Sequence, residues 1–329
     1  MKKTRRKLSR SSVEATLVQV AQLYYEDNLS QQEIADRLGV SRALINLYLK
    51  NAREEGIVRV QIVDPINNCI QLADKIKNLF GIKHISVVPN PRGAPSLSLR
   101  AVASASAEHI SSHLTDGATF GLCWGRTTAA VVELLKPTRA RNVDAVPLLG
   151  DSGHTVIHSQ MNQLVMQAAQ HLGVKAYFLS LPMIVSSPEL RDALLKEEGI
   201  RDILKKWDHL TLACMGIGTV PPTPGMVVYM GEEILPKLMH AGAVGDLCGI
   251  YYERHGRIIP SGLEDRKIAV TVEQLRAAKS VVAFACGDDR ALAVLGAMRT
   301  GLVSSLFIDQ SLAERVLDEI SAEKSPAAA

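Results

Sequence analysis

Cysteine is sparse and unclustered in this 329-residue chain. Cys69, Cys123, Cys214, Cys248 and Cys286 show no CxxC spacing, which removes the usual sequence sign of a zinc site or a disulfide framework. Three of them, Cys123, Cys214 and Cys286, lie inside apolar runs, as buried thiols of a reducing cytoplasm do. Long apolar runs are missing too. None approaches the roughly 18 residues of a membrane span, and none follows the basic N-terminus MKKTRRKLSR as the core of an export signal would. The expected location is therefore cytoplasmic, with no membrane partner. Neither a GxxxxGK[ST] phosphate loop nor a dinucleotide fingerprint is present. There is no internal repeat, and low complexity is confined to the small-residue tail, 325–329, expected to fray.

What the chain does have is an uneven distribution of charge. Residues 1–63 hold 11 Lys and Arg against 7 Asp and Glu, which leaves 26 basic and 27 acidic residues in the remainder. The excess of positive charge sits at one end, where a polyanionic partner needs it. The leading cluster Lys2, Lys3, Arg5, Arg6, Lys7 and Arg10 is either an arm held to DNA by counterion release or a solvated tail.

The same end carries the most specific pattern, QQEIADRLGVSRALINLYLK at residues 31–50. Ile34, Leu38, Val40, Ile45 and Tyr48 present one apolar face across two short helices, matched by Leu17, Val20, Ala21 and Tyr24 on a preceding helix. Ala35 gives a small residue for the helix crossing, and Gly39 permits the left-handed turn between helices. Ser30 with Glu33 has capping-box spacing, and Ser41 is a good N-cap. The spacing predicts a helix-turn-helix whose second helix enters the major groove of double-stranded operator DNA. Ser41, Arg42, Asn46, Lys50 and Arg53 are the expected contacts, Arg42 toward guanine, Asn46 toward adenine or phosphate, Lys50 and Arg53 toward phosphates. The alternating segment IVRVQIVDP at residues 57–65 reads as a wing, with Arg59 on its wet side.

From about Asn67 onward, amphipathic helical patterns alternate with short β-branched runs beginning at His84, Ala118, Val143, Val174, Leu210, Val281 and Ser304. Strands apolar nearly throughout imply a parallel sheet covered on both faces, so a doubly wound α/β domain is expected. Domain limits are expected at 1–63, 64–323 and a tail, 324–329. Ligands of such sheets bind beyond the carboxyl ends of the strands. There GLCWGRTTAAVVELL, starting at Gly121, offers a strand, a glycine turn and a helix opened by two hydroxyls. Gly125, Arg126, Thr127 and Thr128 are candidates for an anion cradle, and ordinary helix capping is the alternative.

QQEIADRLGVSR, then WGRTT, LPMIVSSPELRDALLKEEGIRDIL, MGIG, GAVGDLCG and CGDDRALAVLGAMRTGLVSSLFID, in that order over nearly the whole chain, resemble the SorC family of sugar-responsive bacterial transcriptional regulators. The resemblance implies a helix-turn-helix (winged-helix-like) head followed by a mostly parallel α/β effector domain resembling glucosamine-6-phosphate deaminase and ribose-5-phosphate isomerase. It implies a carbohydrate effector, often phosphorylated, no separate cofactor or metal, and a homodimer or homotetramer on DNA. It puts an effector phosphate at Gly125, Thr127 and Thr128 and makes Asp246 an acceptor for sugar hydroxyls, with turn capping as the alternative role. Family members commonly carry a lysine where this chain has Gly287-Asp288-Asp289-Arg290; Arg290 is expected to replace that cation, and the two added carboxylates disfavour a doubly charged effector. Asp151, His154 and Gln160, in and after LLGDSGH, are expected to meet sugar hydroxyls, and Gly216 and Gly218 of MGIG to allow close backbone approach. The competing reading is a sugar-phosphate isomerase or deaminase with an accessory DNA-binding head, suggested by fold analogy and by no acid/base motif.

Overall fold

The computed structural model describes residues 10–58, 65–90, 95–151, 160–221 and 234–324. Residues 2–7 of the basic cluster, residues 59–64 of the wing expected at 57–65, His154 and the tail 325–329 lie outside the described residues. The chain divides into two compact units, Met1–Asp64 and Pro65–Ala329.

The smaller unit has three helices, α1 (Arg10–Tyr25), α2 (Gln31–Leu38) and α3 (Arg42–Glu54). Leu17, Val20, Ala21 and Leu23 of α1 are buried with Ile34 and Ala35 of α2 and Ile45, Leu49 and Ala52 of α3. Fully burying a side chain the size of Ile34 or Ile45 contributes about 1.5–3 kcal/mol, so these few residues hold three short helices that would not persist alone. The Ser30 hydroxyl accepts from the Glu33 amide at 3.3 Å, and the Glu33 carboxylate accepts from the Ser30 amide at 2.8 Å. These reciprocal bonds hold the Glu33 carboxyl below its ordinary range. Gly39 ends α2 in the left-handed conformation, φ 64° and ψ 35°, and Ser41 starts α3 by accepting from the Leu44 amide at 3.2 Å.

The larger unit begins with α4 (Pro65–Phe80) and contains a sheet whose main path runs β1-β10-β9-β5-β2-β3-β4. These strands are β1 (His84–Val88), β2 (Thr119–Leu122), β3 (Asp144–Pro147), β4 (Lys175–Ala176), β5 (Leu212–Thr219), β9 (Ser280–Ala285) and β10 (Ser305–Asp309), all parallel along that path. Every residue of β2 and β10 is buried, so successive side chains meet cover on both faces. One helical group is α5 (Pro95–His113), α6 (Arg126–Glu133) and α7 (Met161–Leu172). The other is α4, α12 (Ala291–Arg299) and α13 (Gln310–Lys324). Between them in sequence come α8 (Pro188–Leu194), α9 (Glu198–Trp207), α10 (Ile234–His240) and α11 (Val272–Ala277).

All seven apolar runs supply strands of the parallel path. The sequence reading missed an antiparallel excursion: β6 (Ala243–Leu247) pairs with the far end of β5 and is extended by β7 (Ile250–Glu253) and β8 (Ile258–Ile259). Its register sets Asp246 against Gly218.

Candidate functional site

Exposure in α3 follows its period. Ile45, Leu49 and Ala52 are buried, whereas Ser41, Arg42, Asn46, Lys50 and Arg53 are all exposed, as a groove-reading surface requires. Lys50 reaches Glu54 at 3.7 Å with both side chains mostly in solvent, a screened pair weak enough to be exchanged for a phosphate. Arg53 Nε donates to the Leu49 carbonyl at 3.4 Å, which holds its stem along the helix. At ~3.6 residues per turn the positions opposite the buried stripe are Ala43, Leu47, Lys50 and Glu54, with Arg42 and Asn46 to one side. Ala43 and Leu47 are exposed and were not expected as contacts, because sequence reasoning followed the polar residues. The phase of the buried Ile45-Leu49-Ala52 stripe would have found them.

In the larger unit a pocket opens where the sheet reverses its direction of growth. From β2 the chain proceeds to β3 and β4 on one side; from β5 it proceeds to β9 and β10 on the other. The crevice between the carboxyl ends of β2 and β5 is thus a topological switch point. It is lined by Cys123, Trp124, Gly125, Arg126 and Thr127 after β2, by residues 216–219 of β5, by Asp246 and Cys248 near the β6–β7 turn, and by Arg290. Its volume of about 200 Å³ suits one small polar metabolite and falls below the ~300–1,000 Å³ of sites for drug-sized molecules.

Each wall has an identifiable support. Gly125 takes φ 140° and leads into α6, whose first turn has no side-chain capping bond and borders the pocket. Arg126 is exposed at the rim and Thr127 partly so. Thr128 is completely buried, does not line the pocket, and its hydroxyl has no hydrogen-bond partner among the described residues. The expectation of direct phosphate contact by Thr128 is therefore corrected: being third in α6, it turns beneath the first helical turn rather than outward.

Asp246 caps a turn and also borders the pocket. Its Oδ2 accepts from the Gly249 amide at 3.0 Å and caps the β6–β7 turn, while the residue also lines the pocket. Burial pushes its carboxyl above the ordinary value, opposed by the Gly249 amide and the charges of Lys267 and Arg290. Lys267 Nζ in turn donates to the Gly249 carbonyl at 2.8 Å, bracing the same turn. A Cβ on Gly218 would collide with the Asp246 carboxylate, so β5 needs glycine there; at Gly216 the nearest atom is the Phe284 carbonyl oxygen at 3.9 Å, and no such need exists.

Arg290 does face the pocket, but its Nη1 donates to the Ile217 carbonyl at 2.8 Å. Its short 3-10 turn, Asp288–Arg290, is anchored by buried Asp309, whose Oδ2 accepts from the Gly287 amide at 2.7 Å and whose Oδ1 accepts from the Ser311 hydroxyl and the Leu312 amide. Asp309 is a positioning residue that sequence reasoning missed, since a carboxylate ending an apolar strand gives no sign of its three donors.

Asp151 and Gln160 are not among the lining residues. The Asp151 backbone bridges to residues 181–183, donating to Leu181 at 2.7 Å and accepting from Met183 at 2.8 Å. Gln160 stands at the N-cap of α7 without a side-chain capping bond. The structure thus brings together Gly125, Arg126, Thr127, Asp246 and Arg290, and leaves those two apart from them. Among the described residues no group of three or more metal-ligating side chains is placed to hold an ion, and no helix is long and apolar enough to cross a membrane.

Comparison with known proteins agrees with both surfaces. The family model for a sugar-binding domain matches residues 64–318, and that for a winged helix-turn-helix DNA-binding domain matches residues 21–59. The sorbitol operon regulator of Klebsiella pneumoniae is 28% identical over 305 residues, 92% of this chain and 97% of the relative. The deoxyribonucleoside regulator of Bacillus subtilis is 25% identical over 305 residues, again 92% of this chain and 97% of the relative. The crystal structure of the full-length sorbitol operon regulator SorC from Klebsiella pneumoniae superposes with a TM-score of 0.73 at 26% identity, covering 94% of this chain and all of that one.

Proposed function

We propose, from the premise that the chain belongs to the SorC family of sugar-binding transcriptional regulators, that a sugar, polyol or sugar phosphate in the switch-point pocket controls operator binding by α3. Its relatives are transcriptional regulators, so the catalytic alternative is set aside and the chain is a regulator, not an enzyme. The genes controlled are then those of a carbohydrate-catabolism operon, in keeping with relatives named for sorbitol and erythritol.

The observation that carries the reading is the composition of one pocket: the first turn of α6, a half-buried carboxylate and a guanidinium converge at the carboxyl edge of the sheet. Asp246 accepts from vicinal hydroxyls, while the first turn of α6, with Gly125, Arg126 and Thr127, receives an oxyanion or a further hydroxyl. Thr128 supports that turn from beneath, and Arg290 holds the Ile217 end of β5 while offering its remaining N–H groups. Asp151 and Gln160, which do not line the pocket, and His154, which lies outside the described residues, carry no part of this reading. No cofactor besides the effector is invoked.

Operators read by helix-turn-helix heads carry two half-sites about one helical turn, or a multiple, apart, so the working form is a cytoplasmic homodimer or homotetramer whose head spacing the effector alters. A thermal-shift screen of sugars, polyols and their phosphates tests the pocket, because a ligand selective for the folded state raises the melting temperature by mass action. A hit whose effect disappears in Asp246→Asn but persists in Arg42→Ala supports the assignment. A hit insensitive to Asp246 and Thr127 substitutions overturns it.

A further inference from the structure

We infer that Leu47 is a base-reading residue of α3 that recognises the C5-methyl group of a thymine in the operator. This rests on the reading of α3 as a major-groove helix and adds a sequence preference to it. Leu47 is 50% exposed although the helix has a buried stripe two residues to either side, at Ile45 and Leu49. Opposite that stripe, the outward-facing positions are Ala43, Leu47, Lys50 and Glu54, the last two paired at 3.7 Å. Two of the four are apolar, so the centre of the surface is not the polar strip that solvent alone would favour. Lys50 follows Leu47 by about one turn, and Asn46 and Arg42 lie further round the helix on the same side as Lys50, all exposed.

This arrangement selects one occupant. Cationic side chains beside Leu47 favour a polyanion over a second apolar protein surface, because docking against an apolar surface would desolvate Arg42 without returning a partner and Lys50 with only its weak pair to Glu54. In the major groove of duplex DNA the thymine methyl is the apolar feature among base-edge donors and acceptors. With Arg42 and Asn46 hydrogen-bonding to base edges on one side of the helix and Lys50 set on a phosphate, the isobutyl group of Leu47, next round the helix from Lys50 and directly opposite the buried stripe, meets an adjacent base edge. Ala43, one turn earlier, adds a small apolar contact and lets the backbone come close.

The test uses the full-length protein and a duplex selected by it from a random pool. Each thymine of the footprint is replaced in turn by deoxyuridine, which removes the methyl and keeps every hydrogen-bonding group. For the unmodified chain, one replacement per half-site is expected to weaken binding about fourfold, the factor equivalent to ~0.8 kcal/mol for one buried methyl. Leu47→Ala is expected to bind the thymine duplex correspondingly more weakly and to show no further loss at that position, closing a double-mutant cycle. Since Leu47 is half exposed, the variant should keep its helical circular dichroism and melting temperature. If no thymine matters, or if Leu47→Ala keeps the whole deoxyuridine penalty, the inference fails. If Leu47→Ala changes the oligomeric state and leaves that penalty intact, it fails in favour of a protein contact. Arg42→Ala on the same duplex separates the two levels: if it too leaves affinity unchanged, α3 does not read DNA and the underlying reading falls; if it abolishes binding while deoxyuridine is silent, only the role of Leu47 falls.

Discussion

Thr128 offers a perturbation whose sign follows from one atom. Its side chain is fully buried and its hydroxyl has no partner among the described residues, directly under the turn where α6 meets the pocket. A buried hydroxyl left unsatisfied costs about 1–3 kcal/mol. Thr128→Val replaces that hydroxyl with a methyl of similar shape, so the unliganded protein should gain about 1–2 kcal/mol. At ~2–4 °C per kcal/mol for a unit of this size, the main calorimetric transition should rise by roughly 2–8 °C. Most core substitutions destabilise, which makes the expected gain distinctive. Thr128→Ala provides the contrast, because it removes the hydroxyl and also opens a methyl-sized void, and should give little gain or a net loss. The assay is scanning calorimetry of the three proteins, followed by the same scans with the best ligand of the thermal-shift screen. Should Thr128→Val lower the transition by more than about 1 kcal/mol, the hydroxyl is satisfied in the folded protein and the reasoning about the underside of this pocket is wrong.

The remaining expectations concern other parts of the molecule. Ser30→Ala deletes the capping box at α2 and should destabilise the DNA-binding unit by about 1 kcal/mol, read as a lower urea midpoint at unchanged slope. Thr127→Ala should weaken the ligand-induced thermal shift while leaving operator affinity intact, and Arg42→Ala should do the reverse, as checked by thermal shift and fluorescence anisotropy on the same preparations. His109, stacked between His84 and His113 at centroid distances of 4.5 and 3.9 Å, is lowered from 6.5 to about 4, first by burial and then by the neighbouring imidazoles. Because the unfolded chain takes up that proton near pH 6.5 and the folded one only near pH 4, stability should fall as pH drops across this window and level off below it. Allowing for solvent screening of a half-buried ring, the loss should be about 1–2 kcal/mol. His109→Phe should flatten that part of a melting-temperature profile.

Much of this was legible in the chain because local and global signals coincided. The capping box, Gly39 and the Ile34–Ile45 spacing each specify the same three-helix unit through short-range geometry. The β-branched runs marked the parallel strands because burial on both faces leaves few polar residues in them. Less legible was β6 to β8, whose burial alternates, as in AVGDL of β6, and whose role comes from pairing with the end of β5. The pocket was read least completely where contacts cross between strands. Asp309 holds the Arg290 turn through a backbone amide 22 residues earlier in the chain, and Cys248 and Trp124 became pocket walls only when β2 and β6 were each paired with β5. Thr128 shows the limit of a motif: its hydroxyl stands in a helix-opening Thr-Thr pair, yet one residue further along a helix turns a side chain through about 100°.

The measurement closest to the central claim is an anisotropy titration of a labelled operator duplex, repeated at saturating concentrations of each carbohydrate that raises the melting temperature. At least one such ligand should change the apparent Kd for DNA by about 5–150-fold, the range of a 1–3 kcal/mol coupling, and by the same factor DNA should change the affinity for the ligand. Ligands that stabilise the larger unit while leaving the operator Kd unchanged would contradict the claim that the pocket governs the DNA-reading helix.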